Sequence, residues 1–204
     1  MKWLTTLFAC LWLSGCSLQP HTSSTQVEIG QDIWVELPLP SELGQSLNAT
    51  QLISAQWQDE QGNTQTQQLP VQLQIDDQHI VLAGFSSWGT RLLSLDYNGE
   101  NISTQVLNGL ENTLPKPEQV LFNLMITLWP RSAWEAPLNK VRWSIIDAPH
   151  QRIIKNEAGE PVLIISYAGK TPLDGDIQFL NKPLDYSITI QTLSHQAKLT
   201  TSEQ

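Results

Sequence analysis

Cysteine is almost missing from this chain: two occur in 204 residues, Cys10 and Cys16. Both stand near the N-terminus, so no disulfide staples the body of the protein, which must hold by its own core. Long hydrophobic runs are missing too. The one extended apolar stretch, Trp3 to Leu13, falls short of the roughly 20 residues that cross a bilayer. Positive charge is scarce, with 11 Lys and Arg against 20 Asp and Glu and a formal net charge of -9. That balance excludes nucleic acid as a partner, because its phosphates need clustered cations, and excludes a polybasic grip on anionic headgroups. Glycine patterns that cradle phosphates or dinucleotides are absent.

Catalytic patterns are no better represented. His21 lies in a polar N-terminal stretch, while His79, His150 and His195 are far apart with no ligand-like spacing. Asp76-Asp77-Gln78-His79 has the side chains of a metal site, but reads more simply as a polar turn between strands. Gly84-Phe85-Ser86 does not continue into a nucleophile elbow, since Trp88 stands where glycine is required. No catalytic residue, metal site or cofactor is expected, and the chain does not read as an enzyme.

What is present begins at Lys2, a single positive charge followed by the apolar run and then by Leu13-Ser14-Gly15-Cys16. This arrangement resembles the signal peptide and lipobox of bacterial lipoproteins. The resemblance implies cleavage after residues 1–15, lipidation of Cys16 with diacylglycerol and a further acyl chain such as palmitate, and a firm membrane anchor, since each buried methylene contributes about 0.8 kcal/mol. Ser17 rather than aspartate after the cysteine points to the outer membrane. Residues 16–31 read as a lipidated flexible tether, polar and without periodicity. Residues 32–204 read as a single domain.

From Trp34 onward the pattern is mostly period two, as in half-buried antiparallel strands. Ile53, Ala55 and Trp57 share a face; Val71, Leu73 and Ile75 alternate with Gln72 and Gln74; Leu93, Leu95 and Tyr97 alternate with Ser94 and Asp96; Ile102, Thr104 and Val106 continue the series. Turns fall at residues 59–63, at Asp76-Asp77 and at Asn98-Gly99. The rhythm changes at Pro115 and Pro117, after which Val120, Leu121, Leu124 and Leu128 recur at helical spacing up to Pro130. With Phe122, Met125, Ile126 and Trp129 added, this helix is apolar around most of its circumference and belongs in the core. Trp134, Leu138 and Val141 extend a helical insertion over about residues 115–145, with Pro137 limiting its pieces. Strands resume over Arg152–Lys155, Val162–Tyr167, Ile177–Leu180 and Leu184–Thr192. Arg131, Arg142 and Arg152 either meet lipid phosphates or an acidic partner, or pair with Glu135, Asp147 and Glu157.

The expected fold is mainly β: an open antiparallel half-barrel of about eight to eleven strands whose concave face is covered or filled by the helical insertion. Such a construction leaves an apolar cavity between sheet and helix that either stays open or is packed shut. Candidates for its lining are Leu121, Leu124, Met125, Leu128, Trp129, Trp134 and Trp143.

The lipobox, the meander, Ser86-Ser87-Trp88-Gly89-Thr90, the proline-rich start of the helix and the ending Gly159-Glu160-Pro161-Val162-Leu163-Ile164-Ile165-Ser166-Tyr167 together resemble the LolB family of outer-membrane lipoprotein receptors. More closely, the chain resembles an uncharacterised LolB-like lipoprotein family encoded beside aryl polyene biosynthesis genes. The resemblance implies a monomeric, outer-membrane, periplasm-facing lipoprotein that accepts an amphiphile from a LolA-like carrier and hands it to the bilayer. The cargo would be a lipoprotein acyl chain or an aryl polyene lipid. It also implies that Trp88, assisted by Phe85, inserts into the membrane. The alternative is a scaffold lipoprotein with a packed interior that binds other cell-envelope proteins.

Overall fold

A computed structural model describes residues 25–59, 61–110 and 116–199. The proposed signal peptide, Cys16 and His21 lie outside the described residues. The first element is a small hairpin of β1 (Gln26–Gly30) and β2 (Ile33–Glu36), which buries Val27, Ile29 and Val35. This corrects the expectation of a tether through residue 31. Val27 and Ile29 alternate with polar neighbours and supply a buried edge despite the polar composition around them.

A 3-10 turn at Pro40–Leu43 leads into β3 (Gln45–Gln58), β4 (Thr64–Ile75), β5 (Ile80–Phe85), β6 (Arg91–Tyr97) and β7 (Ile102–Val106), a continuous antiparallel meander. Helices α1 (Pro117–Leu128) and α2 (Arg131–Lys140) follow. A second meander then runs through β8 (Ser144–Ala148), β9 (Gln151–Lys155), β10 (Pro161–Tyr167), β11 (Ile177–Asn181) and β12 (Tyr186–Leu199). The ten strands form one sheet in the order β7-β6-β5-β4-β3-β12-β11-β10-β9-β8. The chain thus starts at the centre of the sheet, walks to one edge, crosses to the other and walks back, and β12 closes against β3 along almost the whole length of both.

This topology places the helices. The β7–β8 connection has to travel from edge to edge across one face, and α1 and α2 are that connection. Ten strands at about 4.8 Å spacing would be roughly 43 Å wide if flat, whereas a helix of 12 residues is about 18 Å long. Coverage therefore requires a curled sheet and two helices, giving the open half-barrel expected from sequence. Phe122, Leu121, Met125 and Ile126 of α1 pack with Trp134 and Leu138 of α2 as the centre of the core, all fully buried. Phe122 and Trp134 meet edge to face at 5.5 Å. The indole N–H groups are satisfied: Trp129 donates to the Leu39 carbonyl at 2.9 Å and Trp134 to the Met125 carbonyl at 3.2 Å.

Helix α2 runs through Pro137 rather than stopping at it. Burial of Trp134 on one side and Leu138 on the other offsets the cost of a proline in a helix, roughly 3 kcal/mol. The final strand begins at Tyr186 rather than Leu184, which is an exposed turn residue, and extends to Leu199. Hairpin turns share one device: Asp59, Asp76, Ser86, Asn98 and Asn156 each open a turn and accept a backbone N–H from a residue two to four positions on. The Asp76 turn takes both the Gln78 and His79 amides at 2.8 Å, so this segment is a turn by construction.

Candidate functional site

Strand parity divides β3 cleanly. Leu47, Ala49, Gln51, Ile53, Ala55 and Trp57 face the concave side, and their partners on β4 are Ile75, Leu73, Val71, Leu69, Gln67 and Gln65. Burial decays along both strands in the same direction: Gln51 and Val71 are fully buried, Ile53 and Leu69 are half-buried, and Trp57, Gln67 and Gln65 are exposed. The interior therefore opens toward the β3–β4 tip.

Here a cavity of about 150 Å³ lies between the sheet and α1. Its walls come from Gln51, Ile53, Ala55, Gln67, Leu69, Val71, Leu82, Leu93, Ile188 and Ile190 of the sheet and from Val120, Asn123 and Leu124 of the helix. The volume matches that of an engineered protein cavity of about 150 Å³ that stays dry and binds benzene, and is well below the roughly 300 Å³ at which sites for drug-sized ligands begin. It accommodates a ring or the end of a chain, with the rest of the ligand outside. Gly84 makes part of this space: a Cβ there would approach Leu69 Cδ2 to 2.7 Å and Leu93 Cγ to 3.1 Å.

A polar corner fixes α1 over one side of the cavity. Tyr186 donates its hydroxyl to Asn123 Oδ1 at 2.8 Å, Gln119 Nε2 donates to the same oxygen at 3.2 Å, and Asn181 Nδ2 donates to the Tyr186 hydroxyl at 3.2 Å. Burial pushes the Tyr186 phenol up, opposed by these hydrogen bonds. The ring stacks on Phe179 with centroids 6.0 Å apart.

The antiparallel registers bring the 86–90 loop, the 182–185 turn and the C-terminal end of β7 to the same end as the cavity mouth. Trp88 stands at the tip of the first of these, 94% exposed. Ser86 Oγ accepts the amides of Trp88 and Thr90, and Gly89 takes φ 80°, a left-handed value that suits glycine. The loop thus holds its own shape without the indole. Phe85 is half-buried at the end of β5, so the exposure belongs to Trp88. Trp57, Leu107 and Leu184 add exposed apolar surface at this end, and Trp34 and Leu184 border a common groove with Lys116 and Glu118.

Of the residues expected to line a cavity, Leu124 does so. Leu121 and Met125 belong to the packed core instead, because α1, apolar on every side, turns most of its surface into the sheet and α2; Trp134 of α2 and Trp143, which lies beside Gly30 of β1, are buried in the same core. Leu128 and Trp129 border a separate groove at the α1–α2 junction with Asp147, His150, Arg152 and Tyr167. The charged groups of that groove serve the fold. Arg152, almost fully buried, grips both Asp147 oxygens and donates to the carbonyls of Ile126 and Trp129. Tyr167 donates to the Thr127 carbonyl at 2.8 Å, and burial pushes its phenol up to about 12. Arg131 pairs with Glu135 and Arg142 with Glu157 at the exposed surface, where such pairs contribute little. His79 contacts Asp96 and His150 contacts the Gly169 carbonyl; among the described residues no group of three candidate metal ligands comes together.

An open, ten-stranded antiparallel half-barrel with an apolar cavity under a crossing helix defines this protein as a mainly β hydrophobic-pocket fold. The chain belongs to the family described as protein of unknown function DUF3261, whose model matches residues 48–194. No curated protein matches it. Among solved structures it is similar to a domain described as an outer membrane lipoprotein-sorting protein from Vibrio parahaemolyticus, with 10% identity and a TM-score of 0.37, over 79% of this chain and 88% of that one. It is also similar to a LolA superfamily protein from Nitrosomonas europaea, with 6% identity and a TM-score of 0.41, over 79% and 91%. A third similarity is to the Pseudomonas aeruginosa MucA/MucB complex, with 12% identity and a TM-score of 0.31; it covers 81% of this chain but 56% of that one.

Proposed function

We propose that this protein is a non-enzymatic, lipid-anchored envelope protein that takes the apolar end of an amphiphile into the cavity under α1 and passes it to the outer-membrane bilayer. The observation that carries the proposal is the shared position of the cavity mouth and Trp88 at one end of the sheet. Full burial of an indole removes on the order of 200 Å² of surface, about 5 kcal/mol at 25 cal/mol per Å². Leaving Trp88 out of the core is therefore costly unless it meets another apolar phase, and an indole suits the headgroup region of a bilayer. Transfer on this reading needs no nucleotide, because the ligand exchanges one apolar environment for another. Cys16 supplies the anchor, and a LolA-like periplasmic carrier supplies a lipoprotein acyl chain or an aryl polyene lipid.

Native mass spectrometry of the protein purified from its own envelope tests this reading. A co-purifying amphiphile identifies the cargo. A clean apo mass that persists after incubation with envelope extract overturns the carrier function in favour of a scaffold. Cys16→Ala is expected to release the protein from the membrane fraction, and firm retention of that variant would remove the anchor from the proposal.

A further inference from the structure

Gln51 interrupts an otherwise apolar face of β3 between Ala49 and Ile53; of the other two amides that line the cavity, Gln67 is exposed and Asn123 accepts from Tyr186 and Gln119. Gln51 is 2% exposed and borders the cavity at its deep end. A glutamine amide carries two N–H donors and a carbonyl with two lone pairs. Among the described residues one side-chain bond is made, from Nε2 to Thr192 Oγ1 at 3.2 Å. Turning the amide over exchanges the atoms and still leaves most of its capacity unused. Thr192 is the residue directly opposite on β12, and the strand bulges immediately after it, leaving Leu193 without a partner on β3.

A buried amide with spare bonds is costly to keep, and an aliphatic residue at this position would pack without that cost.

We infer that Gln51 reads a hydroxyl on the buried terminus of the ligand, so the preferred cargo is an amphiphile whose inserted ring or chain end bears one hydroxyl group rather than a plain hydrocarbon end. This inference rests on the proposed function and adds the chemistry of the cargo to it. The cavity volume of about 150 Å³ limits the inserted part to one ring or a short chain end, and the Gln51 amide, held on one side by Thr192, supplies both a donor and an acceptor to it.

The test uses the full-length lipidated protein in nanodiscs, with empty nanodiscs as the blank for partitioning into lipid, and equilibrium dialysis of two matched pairs. One pair is para-pentylphenol against pentylbenzene; the other is omega-hydroxylauric acid against lauric acid. The hydroxylated member of at least one pair is expected to bind about ten-fold more tightly, and the pair that shows the preference tells a ring from a chain. Gln51→Met keeps the volume and removes the amide, and should abolish that preference while binding the hydrocarbon member as well or better. Saturable binding with no preference in either wild-type pair would overturn the role of Gln51 and leave the carrier reading standing. No saturable binding of any probe would overturn both. The wild-type comparison decides the matter by itself if Gln51→Met does not fold.

Discussion

Arg152 places Nη1 2.7 Å from the carbonyl oxygen of Trp129, the C-cap residue of α1, and 2.8 Å from that of Ile126 in its last turn. A cation from strand β9 thereby occupies the negative end of the helix dipole and satisfies carbonyls that have no partner within the helix. Asp147 on the neighbouring edge strand holds the guanidinium with both oxygens, at 2.7 and 2.9 Å. The helix that roofs the cavity is therefore fixed at its C-terminal end by the second meander and at its polar corner by Tyr186.

Replacing Arg152 by Leu is expected to lower stability by about 2–4 kcal/mol, because two buried carbonyls lose a charged donor. Asp147 is half in solvent and is not left as a buried charge. Arg152→Lys should recover part of that loss, since an ammonium keeps the charge but cannot grip Asp147 and two carbonyls at once. Urea unfolding of the two variants gives the comparison, and equal midpoints for wild type and Arg152→Leu would show that the helix end does not depend on this contact.

Alkaline pH should unfold the protein through its tyrosines. The sequence has three, and burial pushes all of them up from the ordinary value of 10, Tyr167 to about 12. Above pH 10 the unfolded chain has lost phenolic protons that the native state still holds, so stability falls as pH rises through the interval from 10 to 12. Below pH 10 both states are protonated and no dependence on these groups is expected. Ultraviolet titration should show little tyrosinate at pH 10 in the native protein and about half in urea. Substantial ionisation of the native protein at pH 10 would contradict the burial of these rings.

Much of this architecture is legible in the chain. The alternation of Val71, Leu73 and Ile75 with glutamines can satisfy only a half-buried strand, and Pro117 and Pro130 bracket a helix whose apolar circumference demands cover. The missing pieces are those whose signal is local and weak. Edge strand β8 buries only Ile145, and β1 is two buried side chains in a polar stretch. The cavity failed differently. Periodicity says that α1 is buried all round but not which side meets a close-packed neighbour and which meets a gap, and Gly84, which makes room, carries no pattern. Gln51 was detectable in principle, as a polar residue on the apolar parity of a strand.

Trp88→Glu should leave folding intact, with a stability change within about 0.5 kcal/mol, because the side chain touches solvent and the loop is held by Ser86. Its effect is expected at the membrane. In a Cys16→Ala background, where no lipid anchor masks the contribution, the variant should lose most of its co-sedimentation with anionic and zwitterionic vesicles. Unchanged sedimentation would place the membrane contact elsewhere, and a large drop in melting temperature would show that the indole packs against the fold in solution.

Gly84 and Leu124 approach the cavity from opposite walls, which allows binding to be separated from stability. Gly84→Ala drives a methyl group against Leu69 and Leu93; such overpacking costs roughly 1–3 kcal/mol and pushes both leucines into the open space. Leu124→Ala removes a nearly buried side chain from the helix wall and costs about 2–4 kcal/mol while enlarging the cavity. Both variants should melt earlier than wild type, yet they should move in opposite directions with a fluorescent fatty-acid probe: weaker binding for Gly84→Ala, and equal or stronger binding of a bulkier chain end for Leu124→Ala. Parallel losses in the two variants would mean that the probe senses the stability of the half-barrel and not the space beneath α1.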